Sequence, residues 1–294
     1  MKVGFIGLGI MGKPMAKNLL KANYDIVVTN RSKSSVDELV KAGAKAANNA
    51  KEVASACDVI ITMLPNSPQV KEVVLGENGI INTVKAGTTV IDMSSIAPLA
   101  SQEISKELEK KDVEFLDAPV SGGEPKAIEG TLSVMVGGKK EIFDKYYDLL
   151  KAMSNSVVYT GKVGAGNTTK LANQIIVALN IAAMSEALVL STKAGVEPEL
   201  VYNAIKGGLA GSTVLDAKAP LIMDRKFDPG FKINLHIKDL QNALDTAHEI
   251  GAPSQLTAAV MEIMQAMKVQ GEDNLDHSAL VKYYERLANT EVKR

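Results

Sequence analysis

Apolar residues follow two rhythms along this chain. Up to about residue 162, short β-branched runs alternate with stretches whose apolar positions recur every three or four residues. Residues 2–6, 25–29, 59–63, 88–93, 113–117 and 133–136 read as strands. Between them, 11–21, 34–42, 50–56, 68–75, 98–110 and 139–153 read as amphipathic helices. The strand runs are apolar without alternation, as befits strands buried on both faces. Strand–helix alternation of this kind predicts an α/β Rossmann domain over residues 1–162, with a doubly wound, mostly parallel sheet.

Beyond that point the strand rhythm is lost. One helical pattern runs from residue 167 to about 194 and is apolar on most sides, including Ile175, Ile176, Val177, Leu179, Ile181, Ala182 and Ala183. A helix apolar all round is a buried one. Gly195 ends it, with Pro198 just beyond. Further helical patterns cover 198–206, 214–223, 237–249, 256–270 and 277–289. The second half, 163–294, is therefore predicted to be an all-α domain for substrate binding and oligomerisation, joined to the first by the long helix.

Composition narrows the picture. Of 294 residues 46% are hydrophobic but only 4% aromatic, so aliphatic side chains and Met must fill the cores. A net charge of −1 offers no basic face for nucleic acid. Cys57 stands alone in an apolar stretch, which excludes an internal disulfide and reads as core packing. Residues 3–10 are too short and glycine-rich for a secretory leader. No run approaches the roughly 18 apolar residues of a membrane helix, and the expectation is a cytoplasmic protein with no membrane partner. His236, His248 and His277 are scattered, with no metal-ligand spacing, and read as ordinary polar positions.

The first loop carries the clearest chemistry. Gly7-Leu8-Gly9-Ile10-Met11-Gly12 leaves a strand and opens a helix. Its glycines permit a tight turn, approach of a pyrophosphate and close helix–strand packing, and together they read as a dinucleotide site. NAD-specific sites place a carboxylate about 20 residues later, on the ribose 2′-OH. Here Asn30, Arg31 and Ser32 stand in that place, and Arg31 suits a 2′-phosphate, so NADP is the preferred cofactor and NAD the second. Two more loops leave strand ends: Met63, Leu64 and Pro65 are expected along the cofactor, and Ser95 near the nicotinamide.

Two segments could act on a substrate. Ser121, Gly122 and Gly123 offer a hydroxyl and open backbone N–H groups suited to a carboxylate, or form a plain turn. Lys170 and Asn173 lie three apart at the start of the long apolar helix and share a face. A lysine there is either a surface residue or a proton donor whose pKa desolvation and the helix dipole bring toward working pH.

Four segments, 3–12, 117–123, 164–173 and Lys238-Asp239-Leu240, together resemble the β-hydroxyacid dehydrogenase family, which includes the 3-hydroxyisobutyrate dehydrogenases. The resemblance implies an NAD(P)-dependent oxidoreductase acting on a small carboxylate-bearing aldehyde or hydroxyacid. It implies Lys170 as general acid/base. It places Ser121, Gly122, Gly123, Asn173, Phe231 and Asp239 at the substrate and Lys238 at cofactor or substrate. Homodimers or homotetramers are expected. Residues 121–127, 207–213 and 235–240 resemble the family's tartronate semialdehyde reductase branch. Open alternatives are other hydroxyacids and semialdehydes of the family, an imine reductase, a 6-phosphogluconate enzyme and a non-catalytic dinucleotide-binding scaffold.

Overall fold

The computed structural model describes residues 1–294. It divides into two compact units, Met1–Lys170 and Leu171–Arg294, with the division inside one long helix.

The first unit is built on nine strands. They are β1 (Lys2–Ile6), β2 (Asp25–Thr29), β3 (Lys45–Ala46), β4 (Val59–Thr62), β5 (Thr89–Asp92), β6 (Glu114–Asp117), β7 (Val120–Ser121), β8 (Leu132–Gly137) and β9 (Ser154–Gly161). The order is β3-β2-β1-β4-β5-β6-β8-β7, with β9 on β8. From β3 to β6 every pairing is parallel. Helices α1 (Gly12–Lys21), α2 (Lys33–Lys41), α3 (Ala50–Ala56), α4 (Ser67–Leu75), α5 (Pro98–Glu109), α6 (Gly123–Glu129) and α7 (Lys140–Lys151) connect them.

Period-two geometry sends neighbouring strand residues to opposite faces. Val3, Phe5, Val59, Ile61, Ile91 and Leu116 pack into one core, and Ile6, Ile60, Val90 and Phe115 into another. Both faces are buried, so the unit is an α/β sandwich of the Rossmann type.

The short strands β3 and β7, the long strand β9 and helix α6 carry no clear rhythm in the sequence. Two-residue strands are too brief for one. β9 alternates exposed and half-buried positions because it lies at the sheet edge. β8 runs antiparallel to β6, since β7 and α6 turn the chain back without a full crossover.

The long helix is α8 (Ala165–Lys193). An 18-residue window of it has mean hydropathy 1.8, long and apolar enough to cross a membrane. This corrects the expectation that no run approaches that length: isolated Asn, Gln, Ser and Glu residues interrupt the apolar run without lowering its mean far. A mostly buried core helix meets the same criterion, but only 39% of this window is buried within the chain, so the helix is not buried all round as its apolar pattern predicts.

In the second unit follow α9 (Pro198–Ile205), α10 (Thr213–Met223), α11 (Ile233–Ile250), α12 (Gln255–Val269) and α13 (Val281–Ala288), the last preceded by a 3₁₀ turn at His277–Leu280. Their shared core holds Ile181, Leu188, Ile222, Ile233, Leu240, Met264 and Leu280. α11 starts a turn earlier than the pattern predicts, because Asn234 and His236 obscure its apolar face in the sequence.

Candidate active site

The carboxyl ends of the parallel strands are laced together by backbone hydrogen bonds. Gly7 N–H donates to Thr29 O, Met63 N–H to Ile6 O, Met93 N–H to Thr62 O and Ala118 N–H to Asp92 O. Each loop expected at the cofactor therefore leaves the sheet from one continuous rim. Side chains add to it. Thr62 Oγ1 and Ser94 Oγ both donate to Asp92 Oδ1, at 2.7 and 2.6 Å, and Ser94 Oγ accepts Leu64 N–H at 2.8 Å. Met63, Leu64 and Ser95 are half-buried beside these bonds and Pro65 is exposed.

The glycine loop fits a dinucleotide phosphate. Gly7 has φ +100°, and a Cβ on Gly12 would stand 1.9 Å from the Gly7 carbonyl oxygen. Nothing lies within 4 Å of where a Gly9 Cβ would be, so the backbone there is open to a ligand. α1 carries no acidic residue in its first turn and no side-chain cap, so no side chain competes with an anion at the helix N-terminus. Asn30, at the end of β2, accepts Leu8 N–H on Oδ1 at 3.1 Å. Its amide thus braces the glycine loop, while Arg31 and Ser32 stand exposed beyond it. Ile10 is exposed as well and Met11 half-buried.

Asp117 has a role that sequence reasoning missed. It is fully buried at the end of β6. One carboxylate oxygen accepts Gly164 N–H and the other Asn167 N–H, each at 2.7 Å. It thereby holds the start of α8. Burial pushes its carboxyl up to about 7, against the opposing pull of the Asn167 and Gly164 N–H groups. Asn167, also fully buried, accepts Ile96 N–H at 3.0 Å and donates to Ser101 Oγ at 3.1 Å. The helix start is so close to the sheet that a Cβ on Gly166 would meet the Asp117 carbonyl oxygen at 2.3 Å. One turn further on, Lys170 is 7% exposed.

Ser121 ends β7 half-buried, and Gly122 and Gly123 turn the chain into α6 with φ of +136° and +69°. That backbone favours glycine, and it presents the main chain without side chains. The glycine loop, Asn30 to Ser32, Met63 to Pro65, Ser95, Ser121 to Gly123 and Lys170 all belong to the first unit.

The second unit carries the other candidates. Asn173 donates to Gln174 Oε1 at 2.9 Å, and Gln174 Nε2 donates to Asp239 Oδ2 at 2.6 Å. Asp239 is 2% exposed, and its second oxygen pairs with Lys238 Nζ at 2.7 Å. Phe231 rests its ring 5.6 Å from His236 and 5.3 Å from His277. Both histidines, ordinary polar positions by their sequence context, are buried and face each other. Forty-one positions separate them in the chain, so no local signal could have paired them. No group of three or more His, Cys, Asp or Glu is placed to hold a metal ion.

Comparison with known proteins adds to this geometry. Residues 2–161 match the family model described as the NAD binding domain of 6-phosphogluconate dehydrogenase. Residues 164–284 match the model described as NAD-binding of NADP-dependent 3-hydroxyisobutyrate dehydrogenase. The chain is 45% identical to 2-hydroxy-3-oxopropionate reductase of Escherichia coli (strain K12), over 98% of this chain and 99% of that one. It is 38% identical to mitochondrial 3-hydroxyisobutyrate dehydrogenase of Mus musculus, over 96% of this chain and 86% of the relative. A solved structure of Mycobacterium tuberculosis 3-hydroxyisobutyrate dehydrogenase with L-serine is similar with a TM-score of 0.90 at 28% identity, covering 96% of this chain and 98% of that one.

Proposed function

The chain belongs to the 3-hydroxyisobutyrate dehydrogenase-related family of β-hydroxyacid dehydrogenases, NAD(P)-dependent oxidoreductases acting on CH–OH groups of small hydroxyacids, and on that premise we propose that it reduces 2-hydroxy-3-oxopropanoate to D-glycerate, reversibly, with Lys170 as general acid/base. The observation that carries this is the burial of Lys170 in the first turns of α8, on a helix start fixed by Asp117 and Asn167. Lysine is almost never fully buried unless paired, and its burial at this helix start supports a role for Lys170 at the reacting atoms. The extent of the likeness to the bacterial 2-hydroxy-3-oxopropionate reductase supports the substrate.

When bound, the reduced nicotinamide supplies a hydride. The chain's own residues do the rest. Ser121 and the N–H groups of Gly122 and Gly123 hold the substrate carboxylate. That anchoring fixes the aldehyde carbon for attack, a positioning effect. Lys170 Nζ gives a proton to the aldehyde oxygen as the hydride arrives at carbon, and the aldehyde becomes the alcohol of D-glycerate. In the oxidative direction the same nitrogen takes the hydroxyl proton. Asn173 orients the lysine and the substrate oxygen, Phe231 and Asp239 line the substrate, and Lys238 meets cofactor or substrate. Ile10 and Met11 follow the pyrophosphate turn, and Arg31 with Ser32 favours NADP over NAD.

We assign the working form to a homodimer or homotetramer joined through the helical unit. Only 39% of the most apolar window of α8 is buried within the chain, and Ile176 and Leu190 are 60% and 72% exposed. Sedimentation that gives a monomer at micromolar concentration would remove that assignment.

The central test is Lys170→Ala, assayed with NADPH against a panel of short semialdehydes including 3-hydroxyisobutyrate-derived ones. The expected result is a kcat at least about a hundredfold lower, the usual share of one general acid, with cofactor affinity retained. Near-normal turnover in the variant ends the assignment of Lys170. A wild-type preference for another semialdehyde replaces the substrate while leaving the lysine in place.

A further inference from the structure

In the helical unit the rings of His236 and His277 lie buried with their Nδ1 atoms 3.1 Å apart. The other nitrogen of His236, Nε2, is 3.1 Å from the backbone carbonyl oxygen of Gln174 on α8. A carbonyl oxygen only accepts, so His236 Nε2 carries the proton and donates. In the neutral ring Nδ1 is then the acceptor, and the proton between the rings belongs to His277. Two bonds thus fix the tautomer of a neutral His236 and place a proton on His277 Nδ1. His277 follows Asp276, whose carboxylate accepts the N–H groups of Gly230, Phe231 and Ser278 and pairs with Lys218 of α10 at 3.0 Å.

This pair touches what the substrate-facing residues need. His236 and Asp239 are three positions apart on α11 and share a face. They grip one residue of α8 twice: His236 donates to the Gln174 main chain, and Asp239 accepts from the Gln174 side chain. The oxygen of that same side-chain amide accepts from Asn173. Gln174 can serve both neighbours only with its amide in one orientation, nitrogen toward Asp239 and oxygen toward Asn173. Phe231 is held at its backbone by Asp276 and at its ring by both imidazoles.

We propose that His236 and His277 form a buried imidazole pair that positions Asn173, Phe231 and Asp239 for the hydroxyacid. It rests on the assignment of those three residues to the substrate. Neither histidine is a catalytic residue: each acts through its neighbours. No element of the reaction needs the pair to change charge, and a proton added to His236 Nδ1 would set two N–H groups against each other.

The test compares His277→Leu with His277→Asn. Asparagine can place an N–H where His277 Nδ1 stands and keep the bond to His236; leucine cannot. In the full-length protein His277→Leu should raise KM for the hydroxyacid about tenfold, with KM for the dinucleotide unchanged and kcat altered less than twofold. That is about 1.4 kcal/mol, in line with one buried hydrogen bond. His277→Asn should restore KM to within about threefold of wild type. Nitrogen-15 spectra of the wild-type protein should show His236 as the Nε2–H tautomer and His277 as the Nδ1–H tautomer. Reversed tautomers, or the two variants behaving alike, overturn the inference while Lys170→Ala still stands as the test of the reaction. A wild-type chain that turns over no hydroxyacid overturns the proposed reaction and this inference with it.

Discussion

Asp117 makes an experiment possible at the point where the sheet meets the long helix. Its carboxyl is raised to about 7 by burial, from 3.8 in an unfolded chain. A folded state with the higher pKa binds the proton more tightly. This group therefore stabilises the fold fully below about pH 4, and the contribution fades as pH rises through 7. Between pH 5 and 8 the loss amounts to about 2–3 kcal/mol, since each tenfold difference in proton affinity is worth about 1.36 kcal/mol. Asp117→Asn removes the titration. It keeps one acceptor for Gly164 or Asn167 and turns an NH₂ toward the other N–H, so it should be less stable than wild type at pH 5 by about 1–3 kcal/mol. As pH rises the wild type loses its advantage and the two curves should converge by about 2–3 kcal/mol at pH 8. Urea unfolding at four pH values between 5 and 8 measures the difference; distant titrating groups cancel in the subtraction, and Asp92, whose charge helps raise Asp117, is counted with it. Curves that stay parallel across that range would refute the reasoning, because the carboxyl would then titrate alike in both states.

Other outcomes follow from the same geometry. Arg31→Ala should lower kcat/KM for NADPH by about tenfold or more and leave NADH nearly unchanged, as expected for loss of one charge-assisted pair with a 2′-phosphate; equal losses with both cofactors would put Arg31 elsewhere. Gly12→Ala drives a Cβ to 1.9 Å from the Gly7 carbonyl oxygen, so dinucleotide binding measured by calorimetry should vanish even where the variant remains folded. Cys57 is buried, and burial raises its thiol to about 11. A colorimetric thiol reagent at pH 8 should label it only after unfolding, and rapid labelling of the native chain would contradict its place in the core.

Much of the fold is legible in the residues themselves. The strands β1, β2, β4, β5 and β6 announce themselves because the runs that form them are largely apolar, as strands covered on both faces tend to be. The glycine loop is legible because only glycine satisfies both the turn at Gly7 and the contact at Gly12. Lys170 stands out because a charge interrupts an apolar helix. The hidden parts have a common cause: they are made by residues far apart in sequence. Asp117 meets Gly164 and Asn167, and His236 meets His277, through long-range contacts with no local pattern. Asn30 shows a subtler limit. Its position beside the cofactor loop is evident from spacing, but its bond to Leu8 N–H is not, and that bond makes it a brace for the loop. The edge strand β9 is silent for the opposite reason, since one exposed side leaves no strong apolar signal.

The boundary between the two compact units falls immediately after Lys170. The proposed proton donor is therefore part of the same folded body as the dinucleotide loops, tied to their rim through Asp117 and Ile96. Asn173, Phe231, Lys238 and Asp239 belong to the other body. On the proposed site, the proton donor and the carboxylate anchor at Ser121–Gly123 are inherited together in one unit, and substitutions at Phe231 or Asp239 in the other would alter the surroundings of the substrate without disturbing either.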